Sequence, residues 1–274
     1  MQKLLAFDPR YYQLVVQVSL LGWGMVFLQF PIAWQHIVIV LGCALIAQWA
    51  CTTYKQLPAV YLSSFNTSLS ILLLLTAQNP WWLGLAAVIA IVSKFVLRFE
   101  GRHIFNPSNI GIVVVLLLTH NVWVSSGKWG HELWLFLLVA GLGLIPQVGG
   151  KTMLVSISFL LSYAALLFSR AWYLGDPWAI PEHQMNNGSL LLFTFFMLSD
   201  PKTTPAHALA RLLYGVGVAI VAALIQFKLY VPNAFLYALV LMSPLVVVLN
   251  RWFPAQGFEW NTDSLSKPVS RYSA

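Results

Sequence analysis

The chain reads as an all-α polytopic membrane protein of about ten transmembrane elements, in two inverted five-helix repeats with short third and eighth elements. Three observations predict this class. Of 274 residues, 59% are hydrophobic and 8% charged, with a mean hydropathy of +0.76. Soluble domains carry about 25% charged residues, and a soluble chain of this size could not hide so much apolar surface. Apolar stretches recur from end to end and leave no room for a soluble domain. Lys and Arg collect at alternate ends of those stretches.

The elements fall at roughly 12–29, 33–52, 64–77, 80–97, 109–124, 132–149, 152–169, 188–199, 211–228 and 234–250. The first follows a short polar segment, MQKLLAFDPR, and reads as a span rather than a cleaved signal. The second holds both cysteines, Cys43 and Cys51, whose spacing suits core packing and neither a disulfide framework nor a metal. The third and eighth are too short to cross simply, since a full span needs about 20 residues; the fifth is marginal. Between the sixth and seventh, GLGLIPQVGGK from Gly141 to Lys151 reads as small-residue helix packing rather than a phosphate loop.

With the N-terminus placed in the cytoplasm, Lys3, Arg10, Lys55, Lys94, Arg98, Arg102, Lys151, Lys202, Arg211, Arg251, Lys267 and Arg271 face that side. These are twelve of fifteen basic residues, leaving Lys128, Arg170 and Lys228 opposite. This bias is the positive-inside signal. It predicts an even number of crossings, both termini cytoplasmic, and residence in the bacterial cytoplasmic (inner) membrane. The formal charge of +7 thus reflects orientation in a lipid bilayer and not nucleic-acid binding.

The domain reading is a first repeat over 1–125, a second over 126–252 and a cytoplasmic tail over 253–274. Its support lies in paired motifs. Asn66-Thr67-Ser68 before ILLLLTAQNP parallels Asn187-Gly188-Ser189 before LFTFFMLSDP, in the third and eighth elements. FNPSNIG from Phe105 to Gly111 parallels YVPNAFL from Tyr230 to Leu236, near the start of the fifth and tenth.

Broken helices are tolerated in hydrocarbon only where protein or a lined cavity covers them. Each exposes orphan N–H groups and the positive end of its dipole. Asn66, Ser68, Asn187 and Ser189 are therefore candidates for ligand contact, with helix capping as the plainer reading. Two inverted short helices can bring polar ends to a shared site that suits a heterocycle or a transported anion.

Two loops add candidates. Arg98, Glu100, Arg102 and His103 lead into Asn106-Pro107-Ser108-Asn109. Asn106, preceding Pro, favours an extended conformation, and Ser108 or Asn109 can cap a helix beginning near Ile110. The cations of this loop either bind a phosphate or mark the cytoplasmic face. The second loop, Ser199-Asp200-Pro201-Lys202-Thr203-Thr204-Pro205, ends the eighth element. Asp200 needs a partner if buried; Lys202 and Arg211 are near enough in sequence to serve. Thr203 and Thr204 offer hydroxyls, and Pro205 suits the first turn of the next helix. An exit turn followed by a cap accounts for the same spelling.

Metal and nucleotide motifs are absent. There is no HExxH, CxxC or GxxxxGK, the six His are scattered, and no acid lies mid-span as a proton carrier.

GRHIFNPSNIG, GSLLLFTFFMLSDPKTTP and Arg211-Leu-Leu-Tyr-Gly215 together resemble the NQR2/RnfD/RnfE family of membrane flavoprotein subunits, especially its short stand-alone members. The resemblance implies two inverted five-helix repeats, flavin binding and electron transfer within a larger ion-pumping complex. It implies that Asn106, Pro107 and Ser108 belong to one flavin-side loop and Asp200, Pro201, Thr203 and Thr204 to its partner. The larger members attach FMN to a threonine in a Ser-Gly-Ala-Thr-like motif. The chain has no match to it, Lys151-Thr152 and Ser156-Ile-Ser-Phe being poor substitutes, so the implied cofactor is non-covalent riboflavin or FMN.

The implied partners are redox subunits or quinone, with a homo-oligomer as a further possibility. Two alternatives stand beside this reading: a small-molecule or flavin transporter using alternating access of the repeats, and a scaffold protein without cofactor.

Overall fold

The computed structural model describes residues 9–58, 60–125, 129, 141, 144, 147 and 151–255, and these are mostly helical. The helices are α1 (Pro9–Val26), α2 (Trp34–Lys55), α3 (Leu62–Leu74), α4 (Trp81–Val96), α5 (Pro107–Leu118), α6 (Met153–Leu174) and α7 (Ala179–Met185). They are followed by α8 (Gly188–Leu192, continuing as a π-helix over Phe193–Leu198), α9 (Ala208–Lys228), α10 (Ala234–Met242) and α11 (Leu245–Trp252). By length and apolar composition α2, α6 and α9 can each cross a membrane, and α10 with α11, bent by 50°, can count as a fourth crossing. The third, fourth, fifth and eighth elements are shorter apolar helices. The sixth expected element, 132–149, lies outside the described residues apart from Gly141, Leu144 and Gln147.

Several boundaries differ from expectation for physical reasons. The third element stops being helical at Leu74; β1 (Leu75–Ala77) then pairs antiparallel with β4 (Val122–Val124), Thr76 opposite Trp123. That ribbon also ends the fifth helix at Leu118 rather than 124. The fifth helix starts at Pro107, and Asn106, not Ser108 or Asn109, is its cap, with Oδ1 accepting from the Asn109 N–H at 3.1 Å. Proline at the first helical position wastes no donor and holds the residue before it extended. The ninth helix begins at Ala208 behind a His207 cap, so Pro205 lies in the loop and not in a first turn. The tenth element breaks at Ser243-Pro244, where proline has no N–H to continue the ladder.

Packing follows small residues, as expected where lipid supplies no hydrophobic drive between helices. A Cβ on Gly215 would lie 2.1 Å from Ser158 Oγ and 2.7 Å from Val155 O, so α9 rests directly on α6. One on Gly111 would lie 2.3 Å from Ala86 O, which seats α5 on α4. Polar side chains between helices bond each other: Gln17 Nε2 donates to Ser70 Oγ at 2.7 Å, and Ser64 Oγ to Gln48 Oε1 at 3.0 Å.

Candidate functional site

The site forms where α8 ends and α5 begins. The last carbonyls of a helix lack intrahelical donors, and a π-helical turn is itself frequent at functional sites. Side chains supply the donors here. Ser199 Oγ donates to Phe195 O at 2.6 Å, Gln147 Nε2 to the same carbonyl at 3.4 Å, and Asn106 Nδ2 to Met197 O at 3.3 Å.

Asn106 Nδ2 also lies 3.2 Å from Asp200 Oδ2, so one amide ties the α5 N-terminus to the α8 C-terminus. Asp200 Oδ1 accepts from the Lys202 N–H at 3.0 Å, and His103 Nε2 lies 3.7 Å from Oδ2. Burial pushes the Asp200 carboxyl up, but the approach and charge of His103 and the Lys202 N–H and charge outweigh it. The group therefore rests below the usual carboxylate value.

The carbonyl of Asp200 accepts from the Thr203 N–H at 3.1 Å and from the Thr203 and Thr204 hydroxyls. His103 is aimed by a two-residue hairpin: β2 (Arg98–Phe99) and β3 (Arg102–His103) pair across Glu100 and Gly101, both at positive φ. From that hairpin Arg102 Nη2 donates to Pro201 O at 2.9 Å.

Beside this junction lies a polar cleft. It encloses about 80 Å³, or about 730 Å³ counted with its open mouth. Arg10, Ser63, Asn66, Thr67 and Ser70 line it from α1 and α3; His103, Asn106 and Ser108 from the first loop; Phe195, Phe196, Ser199, Asp200 and Lys202 from the second; and Gln147 and Thr152 between. Asn66 Oδ1, Gln147 Oε1 and Thr152 Oγ1 are buried there without a hydrogen-bond partner among the described residues. Leaving such a group unsatisfied costs about 1–3 kcal/mol.

The structure thus gathers Asn66, His103, Asn106, Ser108, Asp200 and Lys202 around one cleft, with Arg102 on the hairpin beside it. Thr203 and Thr204 shape its Asp200 turn. Ser68 and Asn109 do not line the cleft: Ser68 Oγ donates to Ser64 O at 2.9 Å, and Asn109 Nδ2 donates to Leu236 O at 3.0 Å, holding α5 to α10.

Asn66 and Ser68 stand inside α3, which starts at Leu62, so neither caps it. Asn187 and Ser189 lie at the far end of α8, where Asn187 Oδ1 accepts from the Ser189 N–H at 2.9 Å. Arg211 turns away from Asp200 and donates to Pro205 O and Lys151 O. Sequence reasoning missed Arg10, Gln147 and Thr152 as cleft residues: Gln147 stands in the glycine-rich stretch that reads as helix packing, Thr152 enters only as a poor substitute for the flavin-attachment threonine, and Arg10 only as a charge marking orientation.

The family model described as "NQR2, RnfD, RnfE family" matches residues 118–259. The chain belongs to this family. Members similar to it include three proteins that carry the name of the D component of an ion-translocating oxidoreductase complex. That of Mannheimia succiniciproducens is 22% identical, over 91% of this chain and 90% of its own. The Pseudomonas aeruginosa protein is 25% identical, over 69% and 73%, and the Actinobacillus succinogenes protein 23%, over 87% and 88%. Within this NQR2, RnfD, RnfE family chain, the matched segment contains Gln147, Thr152 and the Asp200 loop. Asn66 and the His103–Ser108 loop lie before it.

Proposed function

We propose that the chain is a membrane flavoprotein that carries electrons within an ion-translocating redox complex, holding riboflavin or FMN non-covalently in the cleft. Family membership and the names of the relatives support the redox complex. The observation that carries the flavin site is the convergence of His103–Ser108 and Ser199–Lys202, from opposite halves of the chain, on three buried unpaired polar atoms.

The residues present fit the group's chemistry. The edge of an isoalloxazine carries carbonyls and ring nitrogens, and Asn66, Gln147 and Thr152 would hold it, while Phe195, Phe196 and Pro107 supply apolar wall. The enclosed part of the cleft is smaller than a ring system, so binding would use its open mouth as well. Bound there, a flavin supplies one- or two-electron chemistry that no side chain has. Asp200, held ionised by His103 and Lys202, fixes the Asn106 amide and with it the join between α8 and α5. Asn106 and Asp200 act as positioning residues in this reading.

The wider arrangement we propose is two inverted repeats, 1–125 and 126–252, with a tail over 253–274. Both termini would face the cytoplasm of a bacterial inner membrane, with other subunits or quinone exchanging electrons with the site.

Protein purified in mild detergent is expected to be yellow, with a flavin spectrum that bleaches on dithionite and a flavin released by denaturation. Colourless protein with no extractable flavin, from a preparation in which added flavin does not bind either, overturns the reading. Flavin exchange across reconstituted vesicles without a reducible bound chromophore would instead identify a transporter.

A further inference from the structure

We propose that a cavity between the β2–β3 hairpin, the Asp200 loop and α11 binds the headgroup of an anionic phospholipid, whose acyl chains lie along the outer face of α11. The cavity has a volume of about 260 Å³. Arg102, Lys202 and Arg251 line it against one acid among its described lining residues, Glu100, while Val246 and Val247 supply an apolar wall.

The break in the tenth element makes the space. Pro244 has no N–H to continue the ladder, and α11 leaves α10 at 50°. Its polar end is then fixed from two other elements. Asn250 Oδ1 accepts from the Ala206 N–H at 2.9 Å, Phe253 stacks on His207 with ring centroids 5.7 Å apart, and the Arg251 guanidinium lies 5.6 Å from the centre of the Phe99 ring. Held to loop and hairpin alike, α11 closes the third side of the cavity.

The residues around it are those of a lipid interface. Leu245, Val248 and Trp252 recur at helical spacing along α11 and are all exposed, Trp252 at 72%. A Trp beside a cation suits the headgroup level of a membrane. A lipid phosphodiester carries a single negative charge and acceptor oxygens that match a guanidinium fork. The charge bias assigns these residues to the cytoplasmic side, whose leaflet carries the negative surface potential, and basic pockets between helices on that side suit acidic headgroups. A soluble phosphoester would meet the same cations but leave the apolar face of α11 unused. A zwitterionic lipid would bring its own cation against them.

Full-length protein in mild detergent is mixed with phosphatidylglycerol or with phosphatidylcholine of the same acyl chains, and bound lipid is followed by native mass spectrometry. Phosphatidylglycerol is expected to bind at least about fivefold more tightly. Arg251→Gln is expected to weaken it about fivefold, the effect of one cation near an anionic surface. Val247→Trp, which fills the cavity, is expected to abolish the preference. Lys55→Gln removes a cation outside the cavity and should leave the preference unchanged. Phosphatidylcholine binding should be the same in wild type and all variants, which also reports that they are folded.

Equal binding of the two lipids by the wild type overturns the inference. So does a loss in Lys55→Gln equal to that in Arg251→Gln, which would make the preference a diffuse charge effect. Displacement of the lipid by glycerol phosphate would assign the cavity to a soluble phosphoester, and displacement by FMN would assign it to the flavin site; either result overturns the inference as well.

Discussion

The two ends of the α8 half-helix carry nearly the same polar residues and are built in opposite ways. At its start, Asn187 caps the Ser189 N–H, and a Cβ on Gly188 would lie 2.4 Å from Trp129 Cγ. Among the described residues Ser189 Oγ is buried there without a partner, as Asn66 Oδ1 is in the cleft. At its finish, the cap residue Ser199 and two side chains from other elements, Gln147 and Asn106, satisfy the helix carbonyls, and the chain turns through Asp200 beside an open cleft. The difference teaches that an orphaned polar atom does not by itself make a site. Space beside it does, together with groups from separate elements that hold the space open.

Substitutions at the two ends are expected to separate these roles. The largest effect is at the finish. Asp200→Ala removes the acceptor of the Asn106 amide and the Lys202 N–H and leaves His103 without its partner. Thermal unfolding in detergent should register a loss of about 3 kcal/mol, in keeping with about 1–3 kcal/mol per stranded buried group, together with loss of bound flavin. At the start, Gly188→Ala forces a methyl into Trp129. Overpacking of this kind costs about 1–3 kcal/mol, and the flavin retained per folded molecule should not change. Asn187→Ala removes only a cap, for about 1 kcal/mol, again with flavin retained. If either start-end variant lost flavin as Asp200→Ala does, the contrast between the ends would be wrong.

The smallest effect is in the pH dependence. The Asp200 carboxyl sits lower folded than its ordinary value of about 3.9. Its ionised contacts therefore stabilise fully above that value, and the contribution is lost as pH falls through it toward the lower folded value. The stability gap between wild type and Asp200→Asn should hold steady from neutral pH to about pH 5 and close below it. A gap that widened on acidification would contradict the assignment of Asp200 as the ionised member of the junction.

Much of this was legible in the sequence because it is local. The short eighth element, its Ser-Asp-Pro exit, and Pro107 after Asn106 are written in adjacent residues, and so is the apolar character of the helices. What joins them is not. Asn106 meets Asp200 across 94 residues, and nothing near either one names the other. Gln147 and Thr152 enter the cleft through the path of the chain. The ribbon of Leu75–Ala77 with Val122–Val124 was hidden for another reason: both segments are apolar, and periodicity cannot tell a short buried strand from a helix end.

The most direct measurement is the amount of flavin bound per folded protein in wild type, Asn106→Ala and Asn187→Ala, purified side by side and folded to the same extent by size exclusion. The expected result is equal flavin in wild type and Asn187→Ala and a large loss in Asn106→Ala. Equal flavin in all three, or loss confined to Asn187→Ala, would contradict a site at the junction of α8 and α5.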